Sequence, residues 1–195
     1  MPRESGSRIL EAFLVSTGIV AIAEVGDKTQ LLALVLAARY GRPLPIVLGI
    51  LVATLANHAL AAWLGVSIAG LAGRDVMRWM MGVSFLVIAA WSLVPDRLNG
   101  EETGSPRLGA FGATLAAFFI AEMGDKTQIA TMALAARYAS IAAVVAGTTL
   151  GMMLADVPAV YLGERLLRRV PAKAMRRVAA ATFAVIGVVA LAGPR

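Results

Sequence analysis

Two short motifs place charged side chains inside otherwise apolar sequence, and each carries two acids and one lysine. The string AEVGDKTQ contains Glu24 and Asp27, and the string AEMGDKTQ contains Glu122 and Asp125. Residues three apart share one face of a helix, so each pair can point both carboxylates in one direction. Charges within a membrane helix are costly and normally face the interior of a bundle or an aqueous cavity. We therefore expect the two acid pairs to face each other.

The chemistry that four converging carboxylates can perform is the binding of a hard divalent cation. Carboxylate oxygens suit Ca²⁺, Mg²⁺ and Mn²⁺. Neighbouring like charges disfavour one another's ionisation, so such a cluster should hold protons without metal and release them when a cation binds. Competition between protons and a divalent cation is the minimum requirement for antiport. The predicted metal ligands are Glu24, Asp27, Glu122 and Asp125.

The uncharged motif residues offer further ligands and backbone freedom. Gly26 and Gly124 allow either close helix approach or a local break that exposes backbone carbonyls. Four side chains with neutral oxygens are secondary candidate ligands: Thr29, Gln30, Thr127 and Gln128.

The two lysines are candidates for charge balance. Lys28 follows Glu24 by four residues, which is the favourable order for an ion pair within a helix, and Lys126 follows Glu122 in the same way. We expect the lysines to neutralise an acid in the empty state or to anchor a neighbouring helix. A purely structural role for the motifs is disfavoured, because each motif has an acid in excess of its lysine and occurs twice.

Two further polar residues, His58 and Asp156, occupy equivalent positions in apolar sequence at the spacing of the two motifs. One interpretation makes them proton carriers beside the acids. The other is a hydrogen bond between helices, which is the commoner use of such residues.

The elements that must position these groups are membrane helices. The chain is 59% hydrophobic and 15% charged, whereas soluble domains have about 25% charged residues. Cysteine is absent, which excludes disulfides and thiolate metal sites. A helix needs about 20 apolar residues to cross a bilayer. Six spans are predicted, at residues 9–38, 44–72, 77–95, 108–136, 140–164 and 176–193.

The two halves of the chain are a duplication. Residues 23–40 match residues 121–138 at 12 of 18 positions, and the offset of 98 residues persists along the chain. An odd number of spans in each half requires the second half to enter the membrane from the opposite side. The predicted fold is all-α and integral to the membrane, with six transmembrane helices in two inverted three-helix repeats. The units are residues 1–95 and 108–195, joined by a linker at 96–107.

Basic residues predict the orientation. Loops one, three and five carry ten lysines and arginines, against six on the other side. Basic residues concentrate in cytoplasmic loops, so these three loops are predicted to be cytoplasmic and both termini outside an inner membrane. The basic residues form no extended patch, which argues against nucleic-acid binding. We predict no cofactor; the partners are the transported ion, protons and the bilayer.

The strings EVGDKT and EMGDKT resemble the E-x-G-D-[KR]-[TS] signature of the Gdt-type cation/proton exchanger family. The resemblance extends over nearly the whole chain, because both motif copies and both three-helix halves are present. It implies exchange of Ca²⁺ or Mn²⁺ for protons, and Mn²⁺ export for bacterial members. It also implies that the four motif acids act together with Lys28, Thr29, Lys126 and Thr127.

The predicted function is therefore Mn²⁺ export, with Ca²⁺ as the alternative ion, in exchange for protons. Two other transport functions remain open, namely export of a cationic amino acid and a passive divalent-cation channel. An intramembrane enzyme is disfavoured, because the chain has no cysteine and its single histidine has no evident serine partner.

Overall fold

The structure, a computed structural model, describes residues 2–94, 108–162 and 172–192. All regular structure within these ranges is helical, which confirms the all-α prediction for them. The predicted linker at 96–107 lies outside the described residues. In chain order the helices are α1 (Pro2–Glu24), α2 (Lys28–Tyr40), α3 (Pro43–Leu71), α4 (Arg74–Ser92), α5 (Gly109–Glu122), α6 (Lys126–Tyr138), α7 (Ile141–Leu162) and α8 (Ala172–Ala192).

Four of these helices, α1, α3, α7 and α8, are long and apolar enough to cross a membrane. The apolar helix α5 has only 14 residues. Helix α4, which was predicted as the third span, is not among the four, and its first turns carry Asp75 and Arg78. The helices therefore support a multi-pass membrane protein.

The first and fourth predicted spans are not continuous helices. A break of three residues separates α1 from α2, and another separates α5 from α6. At the centre of each break the glycine has a positive φ, 82° at Gly26 and 80° at Gly124. This left-handed conformation interrupts the helical hydrogen bonds, and glycine adopts it without the steric cost that a Cβ would impose. Two roles were predicted for these glycines, close helix approach and a local break, and the structure shows the local break.

Two close contacts between the halves form a matched pair. Gly49 in α3 packs on the backbone carbonyl of Phe111 in α5, and Gly147 in α7 packs on that of Phe13 in α1. Adding the repeat offset of 98 to Gly49 and Phe13 gives Gly147 and Phe111. A Cβ at Gly147 would lie 2.4 Å from the Phe13 carbonyl oxygen, so only glycine permits this crossing. Exchanging the halves thus turns one helix crossing into the other.

The contact between α4 and α8 also joins equivalent positions of the two halves. Phe85 and Phe183 occupy equivalent positions in the two repeats, and their rings stack with centroids 6.0 Å apart. Most of the packing joins helices of different halves, because α1 lies on α7, α3 lies on α5 and α6, and α4 lies on α8. The two halves interleave around one interior.

Buried charges and an apolar exterior distinguish this chain from a soluble protein. Charged groups such as Glu24, Asp125 and Lys126 are buried. Large apolar side chains such as Trp63, Ile120 and Val185 are more than half exposed on the outside. An apolar exterior around buried charged groups is expected when lipid surrounds the helices.

Candidate cation site

The two helix breaks bring the motif acids into the protein interior. Glu24 and Glu122 are the last residues of α1 and α5, while Asp27 and Asp125 are the N-caps of α2 and α6. All four are buried. The expectation that each Glu–Asp pair shares one helix face is wrong, because the helix ends between the two residues. The break, not helical periodicity, positions the carboxylates.

Three of the four predicted ligands form a close group. Glu24, Glu122 and Asp125 each offer a carboxylate oxygen, and these three oxygens lie within 4.8 Å of one another. Asp27 is not a member of this group. Buried carboxylates at such separations repel one another strongly unless protons or a cation compensate their charge. Hard divalent cations take oxygen ligands of this kind, so the group can hold a divalent cation.

The two lysines pair across the halves. Lys126 contacts Asp27 through its Nζ and the Oδ1 atom, and Lys28 Nζ lies 3.4 Å from Asp125 Oδ1. The predicted pairing of each lysine with the glutamate four residues earlier is wrong, because the break interrupts the helix that would align them. The expectation that the lysines neutralise an acid or anchor a neighbouring helix agrees with this geometry. Each motif places its ammonium group against the aspartate of the other motif.

The threonines that follow the lysines hold the glutamates. Thr29 donates its hydroxyl to Glu24 Oε2 at 2.7 Å, and Thr127 donates to Glu122 Oε2 at 2.8 Å. The Oε1 atoms of both glutamates are buried and have no hydrogen-bond partner among the described residues. Each glutamate therefore has one oxygen fixed and one oxygen available to a ligand.

The glutamines stabilise the breaks. Gln30 Oε1 accepts a hydrogen bond from the Gly26 backbone N–H at 3.0 Å, and Gln128 Oε1 accepts one from Gly124 at 2.8 Å. The Gln30 amide also donates to the Ala155 carbonyl at 2.9 Å, which links α2 to α7. The four secondary candidate ligands are thus engaged within the protein: the threonine hydroxyls hold the glutamates, and the glutamine Oε1 atoms hold the backbone at the breaks.

Helix ends contribute to the electrostatics of the site. The C-terminal ends of α1 and α5 both reach it, and a helix C-terminus carries partial negative charge that attracts cations. Asp27 and Asp125 occupy N-cap positions with extended backbone, yet neither carboxylate caps its helix. Their carboxylates are directed to the lysines and, for Asp125, to the group of three.

His58 in α3 and Asp156 in α7 are both buried. Neither the His58 ring nitrogens nor the Asp156 carboxylate oxygens have a hydrogen-bond partner among the described residues. Asp156 is near enough to Glu24 and Glu122 for their charges to interact. The structure therefore brings Asp156 to the acidic group, and it gives no comparable contact for His58.

Sequence reasoning missed the crossing of the lysines and the link from Gln30 to Ala155. No local pattern reports which helix faces a given side chain across the interior. The signal that could have found the crossing is the duplication itself, because a two-fold relation between halves allows a residue of each motif to meet the other motif.

These features define a multi-pass membrane protein with a buried group of carboxylates formed by two repeated motifs. The family model described as divalent cation/proton antiporter GDT1 matches residues 12–100 and 110–194. The chain belongs to this family of transporters, which is not an enzyme family, and it exchanges a divalent cation for protons.

Relatives from bacteria and plants match most of the chain. A Vibrio cholerae protein named "Putative manganese exporter" is 52% identical over 90% of this chain and 88% of its own length. A GDT1-like protein of Synechocystis is 30% identical over 93% of this chain and 97% of its own length. The Arabidopsis thaliana GDT1-like protein 5 is 27% identical over 95% and 97%, respectively. No solved structure matches the chain.

Proposed function

We propose that this protein exports Mn²⁺ across the inner membrane in exchange for protons, and that Ca²⁺ is its secondary substrate. The observation that carries the proposal is the group formed by Glu24, Glu122 and Asp125, whose oxygens come from both halves and lie within 4.8 Å of one another. The name of the Vibrio cholerae relative supports manganese as the ion.

The three carboxylates of this group also account for exchange. In the group of three, Glu24 Oε1, Glu122 Oε1 and Asp125 Oδ2 are buried without a hydrogen-bond partner among the described residues. A bound cation and bound protons would occupy these positions in turn, because either one compensates the buried negative charge. Protons arriving from one side of the membrane then displace the cation to that side.

The lysines set the charge of the site. The four motif acids and two lysines leave an excess of two negative charges, which a divalent cation neutralises. Lys28 and Lys126 each neutralise an aspartate of the opposite motif. A cationic amino acid is less well suited, because its net single positive charge would leave one negative charge buried.

The transport mechanism requires the two halves to be inverted repeats with three spans each. Residues 1–95 and 108–195 are the units of this arrangement. Its support is the matched packing of Gly49 with Phe111 and Gly147 with Phe13. In inverted-repeat transporters broken helices meet at the middle of the bilayer, and one repeat rocks against the other. The breaks at Gly26 and Gly124 fit this description.

The proposed function is tested in proteoliposomes with an imposed pH gradient and a pH dye inside. We expect Mn²⁺ to move against a counterflow of protons, and Ca²⁺ to move more slowly. Metal movement without a proton signal would instead indicate a channel. Absence of metal movement, together with counterflow of lysine, would indicate a cationic amino-acid exporter and contradict the proposal.

The proposed orientation is tested by labelling introduced cysteines, since the chain has none of its own. Arg42→Cys lies in the connection between α2 and α3, and Gly73→Cys lies between α3 and α4; both positions are exposed. In intact spheroplasts, a membrane-impermeant maleimide should label position 73 and should label position 42 only after lysis. The reverse pattern would overturn the orientation predicted from the basic loops.

A further inference from the structure

Helix α7 carries a buried carboxylate that belongs to neither motif. Asp156 is 0% exposed, and both of its oxygens lack a hydrogen-bond partner among the described residues. Burial of a carboxylate without compensation is costly, and acids within membrane helices usually mark an ion pathway. The burial and the two available oxygens together indicate that Asp156 serves a ligand.

The surroundings of Asp156 are those of the candidate cation site. Asp156 lies close enough to Glu24 and Glu122 for electrostatic interaction between the carboxyl groups. The hydrogen bond from Gln30 to the Ala155 carbonyl, 2.9 Å long, holds the start of α2 against α7 one residue before Asp156. Asp156 is not among the three carboxylates that lie within 4.8 Å of one another. It therefore flanks that group.

This flanking position is different in the two halves. The equivalent of Asp156 in the first half is His58, at the repeat offset of 98 residues. A carboxylate attracts a divalent cation by charge, whereas a neutral imidazole offers only one nitrogen lone pair. The charged motif residues are thus the same in both halves, whereas the residues at the position of Asp156 are not.

We propose that Asp156 gives the transported divalent cation a second binding position beside the motif carboxylates, on the side formed by α7. The inference rests on the proposed function and deepens it. Ion pathways conduct when binding is favourable enough for entry and is divided among sites so that the ion can leave. A cation that moves away from the motif oxygens on this side would remain next to a carboxylate.

The test is Mn²⁺ binding to the purified full chain, measured at fixed pH from the EPR signal of free Mn²⁺. Asp156→Asn keeps the shape of the side chain and removes its charge. We expect the Kd for Mn²⁺ to rise about tenfold or more, as for other residues that support a metal site, and the KM for Mn²⁺ transport to rise with it. Asp156→Glu, which keeps the carboxylate, should recover most of the affinity.

The matched control is Thr149→Val. Thr149 is another buried polar residue of α7, and its hydroxyl has no hydrogen-bond partner among the described residues. It lies seven residues earlier, roughly 10 Å along the helix, so the variant should bind Mn²⁺ with an unchanged Kd.

Two results would overturn the inference. One is an unchanged Kd and KM in Asp156→Asn while Glu24→Gln loses Mn²⁺ binding, which would retain the proposed function and restrict the site to the motifs. The other is a lowered melting temperature in Asp156→Asn with an unchanged Kd, which would make Asp156 structural. Failure of the proposed function itself is a separate result, namely a wild-type protein that moves no Mn²⁺ against protons.

Discussion

Replacement of Glu24 with glutamine is expected to stop coupled transport of Mn²⁺ and protons. Glutamine preserves the shape of the side chain and can still accept the hydrogen bond from Thr29. Its amide, however, carries no charge that a cation or proton could neutralise. Because Glu24 supplies one of the three grouped oxygens, we expect the initial rate of Mn²⁺ uptake into proteoliposomes to fall by about 100-fold.

Glu122→Gln should have an effect of similar size. Glu122 ends α5 as Glu24 ends α1, and Thr127 holds it as Thr29 holds Glu24. The matched control is Glu11→Gln, which removes an exposed acid of α1 that interacts with Tyr138. The control should transport at the wild-type rate. Wild-type exchange in Glu24→Gln or Glu122→Gln would contradict the assignment of that glutamate to the site.

Replacement of Lys126 with methionine is expected to destabilise the folded protein. The Lys126 side chain is 4% exposed and contacts Asp27, which is completely buried. Removing one partner of a buried ion pair costs about 3–5 kcal/mol, because the remaining charge loses its compensation. A clear fall in the midpoint of thermal unfolding in detergent would confirm the expectation, and we also expect transport to be lost.

The reciprocal pair provides a comparison within the same molecule. Lys28 is 19% exposed and lies 3.4 Å from Asp125. Lys28→Met should destabilise less, because water around the exposed part of Lys28 already screens this ion pair and less attraction is lost. The double variant Asp27→Asn with Lys126→Met removes both charges and should regain much of the stability without regaining transport. If Lys126→Met unfolds at the wild-type temperature, the crossed pair does not stabilise the structure.

Three properties follow from the amino-acid sequence by itself. The apolar composition predicts membrane helices, because residues 44–72 contain no acidic residue, lysine or arginine. In the structure, α3 spans Pro43–Leu71. The repeat predicts that the halves are related, because 12 of 18 residues around the motifs are identical. The motif acids can also be recognised from the local sequence, since charged side chains within apolar spans are energetically costly and usually functional. None of these conclusions depends on knowing which helices touch.

The tertiary structure alone decided how the acids and lysines are arranged. Glycine permits the left-handed φ of Gly26 but does not require it, so a continuous helix with Glu24 and Lys28 in register was equally consistent with the local sequence. Packing against the opposite half selects the break and turns each lysine toward the other motif. Asp156 approaches Glu24 for the same reason. Contacts between residues about one hundred positions apart depend on how helices cross, and local periodicity carries no information about that crossing.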